Sequence, residues 1–228
     1  MFVVLVVLVF LADWLAPHRH LPWRGLDMDA PVGLATGAKI SFISLAPSRV
    51  CLGKLDQATR LNYAQAEPKT DGKTCGWRLA VHMTGASGAK FRPHKVTAQC
   101  PVVLASYIWL REVDKHARKY LGSGLKKTYH AGTYSCRRQR GNGSDAWSEH
   151  AFANAFDVTG FELIDGRVIS IAKHWRSDGS KEGKALRKFL KKSRSSACKL
   201  FNVVLSPDYN NAHKDHFHLD QGPGSSCR

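Results

Sequence analysis

Acidic residues are scarce in this chain: 18 Asp and Glu stand against 34 Lys and Arg, a formal net charge of +16. That imbalance points to polyanions such as nucleic acid, anionic lipid or a carboxylate- and phosphate-rich cell wall, without choosing among them. There is no CxxC pair among the six cysteines, at 51, 75, 100, 136, 198 and 227, which argues against a zinc ribbon or a thioredoxin-type redox site. No apolar run reaches the ~20 residues of a comfortable membrane span. No internal repeat, low-complexity tract, nucleic-acid-binding motif or set of stacking aromatics is present, and nucleic acid is therefore set aside as a partner.

What is present suits a globular protein. Hydrophobic residues make up 43% and charged residues 23% of 228 positions, enough for a real core in one large domain, or in a typical domain with an N-terminal extension. An even, widely spaced set of cysteines fits three disulfides in an oxidising compartment. Three cysteines precede residue 101 and three follow it, so full pairing requires at least one bond between the halves. The run Phe2–Ala12, broken by Asp13, has the length of a signal-peptide apolar core. No basic segment precedes it and no clear small-x-small site follows; a buried strand would share its composition. Residues 1–20 are read as an export signal or membrane anchor, and the chain as exported to the periplasm or cell envelope.

Residues 16–35, with Pro17, Pro22, Gly25, Pro31 and Gly33, read as a surface linker. Residues 36–100 mix short apolar runs with Gly-rich turns and read as a disulfide-stapled subregion, leaving 101–228 as the catalytic-type domain. Val103, Tyr107, Leu110, Ala117 and Leu121 follow helical spacing, with Pro101 suited to the first turn and Gly122 to the stop. Two β-branched runs, 156–164 and 167–172, flank Asp165-Gly166 and predict a hairpin. A strongly basic helix is expected over 181–199, and strands over 201–205 and 216–219. The order lacks a regular βαβ repeat, so the expected class is α+β with a small antiparallel sheet and flanking helices.

Two stretches carry the chemistry. One is Ser148-Glu-His150 followed by Ala155-Phe-Asp157; the other is His213-Lys-Asp215-His216-Phe-His218-Leu-Asp220. On a strand, His216, His218 and Asp220 share one face while Phe217 and Leu219 enter the core. Imidazole is poor core filling, and a His/His/Asp set with an open position suits a catalytic zinc. His213 is suited to orient a ligand from behind or to sit in a loop. His18, His20, His82, His94, His116, His130 and His174 show no ligand-like spacing. The basic helix reads either as a docking face for an anionic envelope surface or as a solvated outer face.

Ser148-x-His150-x-x-Ala153-x-Ala155-x-Asp157 resembles the SxHxxGxAxD signature of the zinc D-alanyl-D-alanine carboxypeptidases of the M15 group, with Ala153 in place of the usual Gly. His213-x-x-His216-x-His218 is similar to the tail motif of penicillin-insensitive murein endopeptidases, which share a broader fold with hedgehog domains. Over nearly all of residues 20–228 the chain resembles the bacterial extensin-like C-terminal domain family, through His20-Leu-Pro-Trp23, Tyr134-Ser-Cys-Arg137, Ser148-Glu-His150, Cys198-x-x-Phe201 and Asp215–Asp220. The resemblance implies zinc held by His150, Asp157 and His218. It implies Asp215 as general base, by analogy with an ExxH tail, with His216 as donor to the oxyanion; strand alternation by itself favours His216 as base. It also implies Arg137 as a contact for a substrate carboxylate. The expected activity is hydrolysis of peptidoglycan stem peptides or cross-bridges. The alternative is a zinc-stabilised wall-binding module without turnover.

Overall fold

A computed structural model of the protein describes residues 11, 13–139, 145–176 and 178–228. The apolar run expected to export or anchor the chain lies outside them except for Leu11, as does Arg140 of the basic run after Cys136. Among the described residues no helix is long and apolar enough to cross a membrane.

The chain opens with an irregular segment and two short helices, α1 (Thr36–Leu45) and α2 (Ser48–Leu55). Six strands follow: β1 (Leu61–Ala66), β2 (Lys69–Asp71), β3 (Cys75–Trp77), β4 (Ala80–Ala86), β5 (Ala89–Arg92) and β6 (Val96–Ala98). The long helix α3 (Cys100–Leu121) leads to β7 (Leu125–Gly132), a 3-10 turn (Glu149–Phe152), and the hairpin β8 (Ala155–Leu163) and β9 (Val168–Ser170). A one-turn helix α4 (Ile171–His174), the basic helix α5 (Lys181–Ala197), and strands β10 (Val203–Leu205), β11 (Phe217–Asp220) and β12 (Ser226–Cys227) complete it. The class is α+β with a mostly antiparallel sheet, as expected.

The sheet is larger than expected. Ten strands run in the order β1-β4-β5-β7-β8-β11-β10-β12, with β6 on β4 and β9 on β8, while β2 and β3 pair apart. Strands from both sides of residue 100 therefore share one sheet, and β5 joins β7 in parallel with Lys90 opposite Lys127. A parallel pair needs a long crossover. Helix α3 supplies it, with Pro101 in its first turn and Gly122 in left-handed geometry closing it.

Along β8 a register shift puts Gly160 opposite Tyr129 but Val158 opposite His130, leaving Thr159 as an extra residue. Phe156, Val158 and Phe161 thus all turn to the helices, and Asp157 turns to the other face. Phe161 packs on Trp109 of α3 at 6.0 Å between ring centres and on Phe189 of α5 at 5.5 Å. The Trp109 indole donates to Ser193 O (2.8 Å), pinning α3 to α5. Burying aromatic and aliphatic side chains of this size contributes about 1.5–3 kcal/mol each, so the Trp109–Phe161–Phe189 layer fixes the helices rigidly on the sheet.

The disulfides pair Cys51–Cys100, Cys75–Cys136 and Cys198–Cys227. The second is the required bond between the halves. The segment expected as a linker has little regular structure, but it buries Leu21, Leu26 and Met28 against the body of the protein. Arg111 of α3 donates to Met28 O (2.6 Å) and Ala30 O (3.2 Å), holding that irregular chain in place.

Candidate metal centre

Asp157 and His218 face each other across β8 and β11, on the sheet face opposite the helices. His150 is delivered from the 3-10 turn that precedes β8. That turn is set at one end by Ser148, whose side chain accepts from His150 N (3.3 Å). At the other end Ala153 is buried in left-handed geometry, φ 54° and ψ 28°. This is the position where the resembling motif carries Gly, and only Gly adopts that geometry without a penalty. Gln99, at the cap of α3, braces the turn from behind: its backbone N–H donates to Ala153 O (2.9 Å) and its side chain to Phe152 O (2.7 Å).

The three expected ligands converge. His150 Nε2 lies 3.1 Å from Asp157 Oδ2 and 3.1 Å from His218 Nδ1, which lies 3.0 Å from Asp157 Oδ1. One donor atom from each residue lies within 4.8 Å of the others. The outer nitrogens are committed elsewhere. His150 Nδ1 is 3.2 Å from Thr133 O, a pure acceptor, so Nδ1 carries a proton and the ring is held with Nε2 aimed into the cluster. His218 Nε2 is 2.8 Å from Asp220 Oδ2, a carboxylate further held by Gly222 N–H (2.8 Å). Two imidazoles whose far sides are tied to a carbonyl and a carboxylate, with near sides aimed at a third carboxylate, are oriented as metal-binding histidines are.

The electrostatics agree. Burial opposes the imidazolium of His218, but hydrogen bonds to Asp157 and Asp220 outweigh it and raise its pKa to about 9. Burial likewise opposes ionisation of Asp157, yet its hydrogen bonds to His150 and His218 hold its pKa below the usual carboxylate range. Among the described residues the near-buried cluster thus has a standing demand for a cation between its three donors, which a proton or a metal ion fills.

His216 also reaches the cluster: its Nε2 is 3.8 Å from Asp157 Oδ1. Asp215 does not. Its carboxylate, 55% exposed, lies on the far side of the same ring, 2.8 Å from His216 Nδ1. His213 packs its ring 5.2 Å from His216 and 5.8 Å from His218, with Nδ1 2.7 Å from Asn210 Oδ1. Burial, then the charges of His216 and His218, lower its pKa to about 4, so it is neutral at neutral pH. Arg137 is half-buried, and its charge is a minor contributor to that depression. Its neighbour Arg138 is occupied 4.2 Å above the Trp147 ring.

Sequence reasoning identified Asp220 as a residue on the ligand face but gave it no task. The Thr133 carbonyl left no signal, because a backbone acceptor is the same in every residue type. The hairpin β2–β3 was also unforeseen. It packs against the 3-10 turn, is tied by Cys75–Cys136 to the residue before Arg137, and meets Tyr134 edge-to-face through Trp77 at 5.1 Å between ring centres.

Fold and cluster together define an α+β protein with a three-donor, metal-competent site on the open face of its sheet. More narrowly, the family described as the extensin-like protein C-terminus matches residues 49–228, and the chain belongs to that family. No curated protein and no solved structure matches the chain.

Proposed function

We propose that this protein is a zinc-dependent peptidase acting on peptidoglycan stem peptides or cross-bridges, in the manner of D,D-carboxypeptidases or murein endopeptidases. The observation that carries the reading is the convergence of His150 Nε2, Asp157 and His218 Nδ1 with both outer imidazole nitrogens already engaged. Two nitrogens and one carboxylate are a suitable donor set for zinc with a position left open. Bound there, zinc supplies Lewis acidity and a nucleophile at neutral pH.

The chain's own residues supply the rest. His216 Nε2, beside Asp157, is positioned to take a proton from the attacking water and return it to the leaving amine. Asp215, on Nδ1, fixes the tautomer and stabilises the imidazolium that forms. The geometry thus favours His216 as base and Asp215 as its support, the reverse of the weighting drawn from the ExxH analogy. Arg137 is offered as the anchor for a peptide carboxylate. Neutral His213 adds no positive charge beside the ion. Three disulfides and the apolar run Phe2–Ala12 support export to an oxidising envelope compartment.

Metal content and muropeptide cleavage, measured on one oxidised preparation, test this. One zinc per chain with cleavage products is expected. His150→Ala and His218→Ala should lose metal and activity together, and His216→Gln should keep the metal and lose turnover. Full metal with no cleavage of any muropeptide would overturn the peptidase and leave a wall-binding module. Unchanged metal in both His variants would overturn the ligand assignment.

A further inference from the structure

Helix α1 is apolar on both sides. Ile40 and Ile43 enter the core, while the opposite stripe Leu34–Ala38–Phe42–Leu45 is exposed, Leu34 at 90%, Phe42 at 65% and Leu45 at 85%. A helix with an apolar stripe on its outer side as well as its inner one ordinarily finds a partner for both. The same region gathers most of the misplaced apolar surface. Of eleven large exposed apolar side chains among the described residues, eight lie between Leu11 and Val50, including Trp14 at 83% and Leu15 at 69%. The segment is bound together. Asp13 accepts from the Trp23 indole (2.9 Å) and Arg24 Nε (2.6 Å), Leu34 N–H donates to His20 Nδ1 (3.2 Å), and Lys39 of α1 reaches back to His18 O (2.7 Å).

Charge says what covers this face. No Asp or Glu occurs from Ala30 to Leu55, whereas Arg49 and Lys54 do. Lys199 stands beside the start of α1, where Gly37 lets the helix settle on the Lys199 carbonyl; a Cβ there would come within 2.3 Å of it. Exposed Trp, Leu and Phe beside Arg24, Arg49 and Lys54 is the composition of a surface that lies in a membrane interface. The acids of the segment are engaged, Asp13 by Trp23 and Arg24, Asp27 by the Asp29 and Ala30 amides, and Asp29 by Tyr107. The patch is also continuous in sequence with the apolar run Phe2–Ala12.

We propose that the outer face of α1, with Trp14, Leu15 and Trp23 beside it, docks on an anionic phospholipid bilayer. The chain then rests on the membrane rather than swinging from a tether. Helix α1 packs on α3, which covers the sheet face opposite Asp157 and His218, so docking leaves the metal cluster uncovered. The proposal is independent of the catalytic reading.

The test is hydrogen–deuterium exchange of the full chain, free and on vesicles of phosphatidylglycerol and phosphatidylcholine, in parallel with Leu34→Ser/Phe42→Ser/Leu45→Ser. These positions are exposed, so the variant should keep the wild-type melting midpoint. Exchange across residues 34–50 should slow several-fold on vesicles in the wild type, and this slowing should be lost in the variant. Exchange at 34–50 unchanged on vesicles, which leaves only a tether, would overturn the proposal, as would slowing retained in the variant. Slowing without vesicles, together with a dimer mass, would assign the face to a second copy and overturn it too.

Discussion

His218 stands between two carboxylates, and that position sets a pH dependence for the metal-free chain. Its folded pKa of about 9 lies above the ordinary value near 6.5. The protonated ring therefore stabilises the fold fully below pH 6.5, and the contribution, of the order of 3 kcal/mol, is lost as pH rises through 9. Thermal melts in chelator should show the midpoint falling between pH 7 and 9.5, and His218→Ala should abolish that slope. A metal bound at this cluster near pH 7.5 would displace the same proton, and calorimetry in buffers of different ionisation enthalpy should then register its release. Ala153 makes a second residue-level case. A β-branched side chain in its buried, left-handed position is doubly excluded, and Ala153→Val should destabilise by about 2 kcal/mol or more in denaturant titrations. Ala153→Gly trades backbone relief for a lost methyl and should stay near wild type. Asp215 and His216 show what sequence could and could not assign here. Strand alternation put His216 on the ligand face correctly, but the side on which Asp215 sits depends on the bend before β11, which no pattern encodes.

At the scale of elements, legibility followed periodicity. Helix α3 was readable from its apolar spacing, Pro101 and Gly122, the β8–β9 hairpin from Asp165-Gly166, and α5 from its Leu186, Phe189, Leu190 side. The early strands were not. β1 alternates weakly, β5 and β6 span only four and three residues, and alanines among their buried positions leave little apolar contrast to display. The supposed linker was misleading for a related reason: Leu21, Leu26 and Met28 are buried from irregular backbone, without any period to reveal it. The coupling between α3 and the ligand turn gives an element-level prediction. Gln99→Ala removes the bond to Phe152 O, so stability should drop by about 1 kcal/mol and metal affinity should weaken while the ligands stay intact, as a competition chelator would measure. The bond Cys75–Cys136 spans 61 residues, and its removal should lower stability by up to about 4 kcal/mol on the chain-entropy estimate. Because it borders Arg137 rather than a proposed ligand, a Cys75→Ala/Cys136→Ala variant that still folds should bind metal as the wild type does.

For the whole molecule, the excess of 16 positive charges is unevenly used. Lys119 and Lys188 both lie over the Tyr120 ring, at 5.7 and 5.1 Å, where α3 and α5 meet, and Lys115, Lys119 and Lys192 help burial depress the pKa of His116. Mutual repulsion among these lysines is relieved by an anionic surface and screened by salt. Retention on an anionic matrix should therefore fall steeply with ionic strength, and Lys119→Glu/Lys188→Glu should elute markedly earlier than a control pair of Glu substitutions at Lys73 and Lys90. The arrangement of the cluster along the chain has a different kind of consequence. His150 and Asp157 come from one short stretch, but His218 follows Asp157 by 61 residues and reaches it only when β11 has zipped onto β8. A polypeptide made in order offers two of these donors for that whole interval, a set too poor to retain an ion. On the proposed ligand set, loading would thus be an inspection step: a metal would be held only by chains whose last strands have arrived and seated correctly.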